Sequence, residues 1–315
     1  MSTQNRTNSE TIEGRIYQQN LALRKVENKE SKNFGKPFIN GSIDIATTDD
    51  DMNVLTVHYT YVSPTTKNGG ENRTFAALKR IMDENKTIIE VGHDAAMKVR
   101  CTPAIALNDF YPNGQEELVS QPRNEGGFVS ILNELNPEGI ERNKFTADVL
   151  ITRINRQDDD ENGAYATMRA AAFNFRGDIL PLTFTLRNED AISYFENLDP
   201  SSSEPVFTKI WGKIVSRTEV QKSEEESAFG EPSVDIKQKR VREWVVTGAA
   251  KEPYTFGDGG VLTPEDIKKA MENREVMLAD TKKRSDDYYK NRNTQPSAFG
   301  GSESSGTVPK GDFQF

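Results

Sequence analysis

The chain of 315 residues carries a formal net charge of −9, with 35% hydrophobic and 28% charged residues and one cysteine. That length makes two compact units the expectation, and the negative balance argues against a protein that coats duplex DNA through bulk positive charge. The lone Cys101 excludes an internal disulfide and fits a reducing compartment. No stretch approaches the roughly 18–20 apolar residues of a membrane span, and Met1 to Ser9 lack the apolar core of a signal peptide, so neither membrane insertion nor export is expected.

In chain order, residues 1–33 are polar, mixed in charge and weakly patterned, and read as a flexible N-terminal arm in which Ile16, Leu21, Leu23 and Val26 form a short docking segment. From Phe38 to Ile45 apolar and polar residues alternate. Thr48-Asp49-Asp50-Asp51 then turns the chain, and Asn53 to Val62 alternates again, which predicts a hairpin. Phe75, Leu78 and Ile81 fall at helical spacing, and strand-like runs follow at Met97 to Leu107 and Leu118 to Leu132. Strands, a short helix and further strands describe a first β-barrel over residues 34–135. Asn136-Pro137 and Gly139 mark a boundary.

A second barrel is expected over residues 144–254. Its strands are Phe145 to Ile154, Tyr165 to Phe175, a run around Leu182, Phe184 and Leu186, then Val206 to Val220 and Lys237 to Thr247, with a short helix at Glu189 to Leu198. The acidic stretch Ser223 to Asp235 reads as a loop. Thr263-Pro264-Glu265-Asp266 is a helix start: a hydroxyl N-cap, proline at the first helical position, and acids where the dipole favours negative charge. A C-terminal helix over residues 263–290 follows, with Ile267, Ala270, Met271 and Leu278 available to dock. Residues 291–315 form a Ser/Gly-rich flexible tail ending in Asp312, Phe313 and Phe315. The fold class is therefore mainly β, barrel-like, with short helices and a C-terminal α-helix.

The two late strands carry the most informative pattern. Period-two alternation places Val206, Ile210, Ile214 and Val220 on one face and Phe207, Lys209, Trp211, Lys213 and Arg217 on the other. In the second strand Arg240, Arg242 and Trp244 share a face opposite Val241, Val245 and Thr247. Paired, the strands would present a basic and aromatic surface on which bases stack while cations follow phosphates. The alternative is that Trp211 and Trp244 pack under the C-terminal helix. Tyr165, Arg169, Phe173 and Phe175 share a parity that extends such a platform, and Tyr59 and Tyr61 read as core. Arg73, Arg100 and Arg123 with Phe110 and Tyr111 are further groove candidates.

No catalytic residue is assigned. His58 and His93 are the only histidines, no zinc-type spacing or phosphate-cradling glycine loop occurs, and acidic runs such as Asp158-Asp159-Asp160-Glu161 read as solvated loops. No metal and no cofactor are expected, and the chain reads as a binder rather than an enzyme.

Phe38-Ile39-Asn40-Gly41-Ser42-Ile43, Asn108-Asp109-Phe110-Tyr111, Arg123-Asn124-Glu125-Gly126-Gly127-Phe128, Glu243-Trp244-Val245-Val246-Thr247-Gly248 with Pro253-Tyr254, and Leu262 to Ala270 together resemble single-stranded DNA-binding proteins of tailed bacteriophages. The resemblance implies OB-type barrels, binding of single-stranded DNA with little sequence preference in the cytoplasm of a host bacterium, and a role in replication, recombination or repair. It also implies that the tail, through Asp312, Phe313 and Phe315, recruits replication or recombination proteins. The rival reading is a phage structural or assembly protein whose β-domains use the same aromatics at subunit contacts.

Overall fold

Among the described residues, alternation of apolar and polar side chains becomes twelve strands in one continuous hydrogen-bonded system, with four α-helices at its edges. The computed structural model describes residues 6–112, 116–157, 165–225, 233–257 and 262–294, of which 217–225, 233–240 and 291–294 are described as backbone only. The strands are β1 (Asn8–Lys25), β2 (Pro37–Ala46), β3 (Val54–Val62), β4 (Lys98–Cys101), β5 (Ala104–Phe110), β6 (Val119–Glu125), β7 (Val129–Leu132), β8 (Asn143–Gln157), β9 (Tyr165–Phe173), β10 (Ile179–Leu186), β11 (Val206–Glu225) and β12 (Ser233–Ala249). The helices are α1 (Arg73–Glu84), α2 (Ile88–Val91), α3 (Glu189–Asn197) and α4 (Pro264–Thr294).

Strands β8, β9, β10, β12 and β11 close into a ring, because β11 pairs with β8 as well as with β12. Every contact in the ring is antiparallel except β10 with β12, where Thr185 faces Val245 in parallel. The chain thus visits ring positions in the order 1-2-3-5-4, with α3 between the third and fourth strands. That is the OB-type Greek-key barrel.

The same order recurs earlier in the chain. There β1, β2, β3 and β6 are neighbours, β3 and β6 are parallel, and the fifth ring position is shared by β5, which pairs with β6, and β4, which pairs back to β1. The break between β4 and β5 falls at Thr102-Pro103, where proline supplies no amide to the ladder. The Pro103 carbonyl there accepts from the Glu10 amide at 2.9 Å. Helices α1 and α2 occupy the place that α3 has in the second ring.

Strand β1 of the first ring joins the two rings: Asn8–Ile12 pairs with Asn143–Ala147 of β8 in the second. One hydrophobic cluster consequently runs through both, from Ile12, Ile43 and Val57 to Phe145, Met168 and Phe184. A smaller cluster lies outside the second ring, where Leu150, Phe173 and Phe207 are covered by Leu262 and Ala270. The start of α4 is fixed by a reciprocal cap. Thr263 Oγ1 accepts from the Asp266 amide at 3.1 Å, and Asp266 accepts from the Thr263 amide at 3.1 Å.

The N-terminal segment departs from the sequence expectation of a flexible arm. Asn8–Lys25 is an 18-residue strand with Ile12 and Ile16 fully buried, and the first ring cannot close without it. Its polar residues misled because its partners lie on β2, β4 and β8, far along the chain. The expected acidic loop from Ser223 is strand as far as Glu225, and strand resumes at Ser233. The C-terminal helix begins at the predicted Thr263-Pro264 and runs on to Thr294. Among the described residues no helix is long and apolar enough to cross a membrane.

Candidate nucleic-acid interface

On β11 the side chains of Ile210 and Ile214 are fully buried inside the second ring, which turns Lys209, Trp211 and Lys213 outward. Trp211 is 42% exposed. It pairs with Gly248 of β12, and a Cβ on that glycine would come within 2.4 Å of the indole Nε1, so the indole is seated against bare backbone. Gly212, its neighbour, faces inward; a Cβ there would lie 2.0 Å from the Val245 carbonyl oxygen and 2.9 Å from the Phe145 ring. Glycines on both sides of the ladder thus let Trp211 lie close to the barrel wall without leaving solvent.

The flanking lysines differ in their surroundings. Lys209 Nζ is 4.0 Å from the Asp148 carboxylate, which also accepts from the Thr7 amide at 2.7 Å and the Tyr254 hydroxyl at 3.0 Å. Lys213 is opposite Lys144 of β8, whose amine pairs with Glu141, and no ion pair of Lys213 occurs among the described residues.

Trp244 is not on this surface. The register sets it opposite Ile214, a core residue, and it is 3% exposed. Its Nε1–H donates to Glu10 Oε1 at 2.8 Å. Glu10 is itself buried, its Oε2 has no hydrogen-bond partner, and burial pushes its carboxyl up to about 7. The parity that groups Arg242 with Trp244 holds, yet that face turns inward, toward the seam between the rings. There the Arg242 charge favours the ionised form of Glu10, while burial first and then the charges of Arg123 and Arg242 disfavour protonation of His58. Phe207 does lie on the outer side of the ring, but Tyr254 and the start of α4 cover it to 4% exposure. The side chains of Arg217 and Arg240, and the whole of Asp312, Phe313 and Phe315, lie outside the described residues.

A second polar surface was only half visible in the sequence. On the outer face of β8, β9 and β10, Arg153 sits directly opposite Arg169, which sits opposite Thr183, and both arginines are exposed. Like charges directly across a ladder destabilise each other, and an anion between them reverses the sign. At the end of the same face the Arg187 guanidinium lies 5.0 Å above the Tyr165 ring and pairs with Glu243 at 3.1 Å. Between this face and α4 runs a groove of about 860 Å³ whose lining includes Arg169, Thr183, Arg242 and Met271. The alternation from Tyr165 to Phe173 groups Tyr165 with Arg169 correctly, but Phe173 at the far end is sealed under α4. Phe175 lies past the strand and is exposed. The cross-strand partner Arg153 has no such signal, since register is not written in either strand alone.

Of the other residues singled out in the sequence, Tyr59 is core as expected and Tyr61 is 44% exposed. Arg100 and Arg123 are tied to Glu13 and Glu125 at 2.6 and 2.8 Å. Burial pushes the Cys101 thiol up to about 12, which leaves it no nucleophile at neutral pH. Among the described residues no group of three or more His, Cys, Asp or Glu side chains comes together in a metal-holding set.

A family model described as YorF matches residues 7–284. No curated protein matches the chain. Two crystal structures of the single-stranded DNA binding protein from Thermus aquaticus are similar to it. The wild type has 12% identity and a TM-score of 0.45, covering 81% of this chain and 97% of its own. A deletion variant has 10% identity and a TM-score of 0.46, covering 81% of this chain and 100% of its own.

Proposed function

The chain belongs to the YorF family, and we propose that it is a single-stranded DNA-binding protein that holds its ligand by base stacking and phosphate contacts, without turnover. The observation that carries this reading is Trp211: a large aromatic kept exposed on the wall of an OB-type ring, seated against Gly248 and flanked by Lys209 and Lys213. A buried tryptophan stabilises a barrel, whereas one held at the surface between cations is a stacking platform. A base stacked on an aromatic ring contributes on the order of 1–3 kcal/mol with little dependence on its identity.

The OB ring supports the same reading, because its second and third strands and adjoining loops are the surface on which that fold takes oligonucleotides. Here those strands carry Arg169 and Tyr165, with Arg153 alongside. Lys209 and Lys213 with Arg217 and Arg240 are the proposed phosphate partners, and Arg242 with Trp244 belongs to the seam. A local basic surface of this kind works on a chain of negative net charge, since Debye screening confines each charge to about 10 Å. The finer reading, a phage protein serving replication, recombination or repair and recruiting partners through Asp312, Phe313 and Phe315, rests on the sequence resemblance.

Titration of the full chain with oligothymidine, followed by tryptophan fluorescence, tests the proposal. Saturable quenching that weakens as salt rises is the expected result. Absence of saturable binding at low salt overturns it and favours an assembly role.

A further inference from the structure

The far end of β1 and its partner β2 hold a feature that barrel closure does not require. Along β1 the last buried residue is Ile16, and from Tyr17 to Lys25 the strand continues with none buried, paired to β2 through Lys25 and Pro37. The hairpin tip is nonetheless ordered: the Val26 amide donates to the Lys36 carbonyl at 3.0 Å, Gly35 to Val26 at 2.9 Å and Phe34 to Ser31 at 2.9 Å.

Two kinds of side chain collect on this finger. Arg24 is directly opposite Phe38, and the Phe38 ring stacks on Tyr61 of β3 with centroids 4.7 Å apart and planes 27° from parallel. Tyr61 is 44% and Phe34 53% exposed. Between residues 24 and 36 stand Arg24, Lys25, Lys29, Lys32 and Lys36 against only Glu27 and Glu30, a local excess of three positive charges in a chain whose total is −9. Among the described residues none of these five cations forms an ion pair. Elsewhere several arginines are tied to carboxylates, as Arg100 to Glu13 and Arg142 to Asp49, whereas the finger gathers five cations with no such partner among the described residues.

We propose that the β1–β2 hairpin is a second contact for the same single strand, bases lying on the Phe38–Tyr61 pair and phosphates running along Arg24, Lys29, Lys32 and Lys36. A stacked pair of rings, Tyr61 exposed and Phe38 half-buried, beside unneutralised cations fits a polyanion with flat bases. An acidic peptide would satisfy the cations but leave the rings wet. The proposal rests on the reading of Trp211 as a stacking residue and makes the site bipartite. A strand that reaches both contacts binds the second intramolecularly, so losing either costs a long ligand far more than a short one.

The test uses oligothymidines of about 8 and about 30 nucleotides, because one OB fold occupies roughly 4–16. They are titrated against the full chain and against Tyr61→Ala and the quadruple variant Arg24→Gln, Lys29→Gln, Lys32→Gln, Lys36→Gln. All these positions are exposed, and circular dichroism with thermal unfolding verifies the fold. Affinity for the long ligand is expected to fall about 10-fold in Tyr61→Ala and further in the quadruple variant, with the short ligand changing by about 2-fold or less. Photocrosslinking of halogenated oligonucleotides is expected to mark Tyr61 or Phe38. Unchanged affinity of both variants for the long ligand, while the parent binds it and Trp211→Ala does not, overturns the hairpin contact alone. A parent that binds neither oligonucleotide overturns the proposed function and this inference together.

Discussion

The indole of Trp244 donates to the carboxylate of Glu10 at 2.8 Å, joining residues 234 positions apart across the seam where β1 of the first ring pairs with β8 of the second. The acceptor is an acid buried to 1% exposure with its second oxygen unpartnered. Desolvation disfavours the charged form, so the folded protein holds the Glu10 proton to about pH 7, whereas an unfolded chain releases it near its ordinary value of 4.5.

The sign of the consequence follows from proton counting. Between about pH 4.5 and 7 the folded state binds more protons at Glu10 than the unfolded state, so stability from this group is complete below 4.5 and falls as pH rises through 7. The shift corresponds to about 3 kcal/mol. Glu10→Gln keeps an acceptor for Trp244 and removes the titration. Urea unfolding at pH 5 and pH 8 is expected to show the variant gaining on the parent as pH rises. A constant difference between the two proteins would mean that Glu10 ionises freely in the folded state.

The two tryptophans are expected to separate in mutagenesis. Trp211→Ala removes an exposed ring and should leave thermal unfolding nearly unchanged, while weakening single-stranded DNA binding by about 1–3 kcal/mol. Trp244→Ala empties a core site and strands Glu10, costing about 3–5 kcal/mol of stability. Fluorescence of the variant retaining only Trp211 should be quenched by oligothymidine, and that of the variant retaining only Trp244 should not. The reverse pattern would show that the seam, not the β11 surface, meets the ligand.

The sequence makes Trp211 legible and Trp244 illegible for one physical reason. On β11 the alternation of Lys209, Trp211 and Lys213 with Ile210 and Ile214 declares which side is wet. On β12 Arg242 and Trp244 oppose Val241 and Val245, and neither side is plainly apolar. Inward and outward are then fixed by pairing: Ile214 meets Trp244 and Ser216 meets Arg242. The same limit hid β1, whose half-polar strand is explained only by long-range partners, and Arg153, whose meaning comes from Arg169 across the ladder. Elements set by local chemistry, such as the Thr263-Pro264 start of α4 and the helical spacing of Phe75, Leu78 and Ile81, were readable because their partners lie within a few residues.

The glycines beside Trp211 are expected to answer differently to the same change. In Gly212→Ala the new methyl meets the Val245 carbonyl at 2.0 Å and the Phe145 ring, neither of which can move without opening the ladder. Several kcal/mol of destabilisation is expected, toward the upper end of the roughly 1–3 kcal/mol typical of overpacking. In Gly248→Ala the methyl meets the Trp211 indole, an exposed ring that can swing away. Stability should fall by about 1 kcal/mol or less while DNA affinity drops toward that of Trp211→Ala. Equal effects of the two substitutions on folding would contradict the seating of Trp211 on Gly248.

The last expectation concerns how α4 is held. Both terminal nitrogens of Arg274 donate to the two carboxylate oxygens of Asp109 on β5 at 3.1 Å, with the side chains only 11% and 8% exposed. Removing one partner of a buried pair leaves the other charged without compensation, at a cost of about 3–5 kcal/mol. In Arg274→Ala that cost need not unfold the rings, because Asp109 regains water if α4 lifts from β5. Leu262 and Ala270 pack the start of α4 into the core, whereas beyond Arg274 the helix meets Tyr111 through weaker contacts, the Ser285 hydroxyl donating to its carbonyl at 3.3 Å and Lys282 lying 5.2 Å over its ring, so the part beyond Arg274 should release first. Hydrogen exchange is then expected to accelerate along residues 274–290 while the ring strands stay protected, with Asp109→Asn giving a smaller effect because a neutral amide tolerates the unpaired state. Uniform acceleration across β5 and β10 as well would mean that the ion pair supports the barrels themselves, and unchanged exchange in α4 would mean that the pair holds nothing.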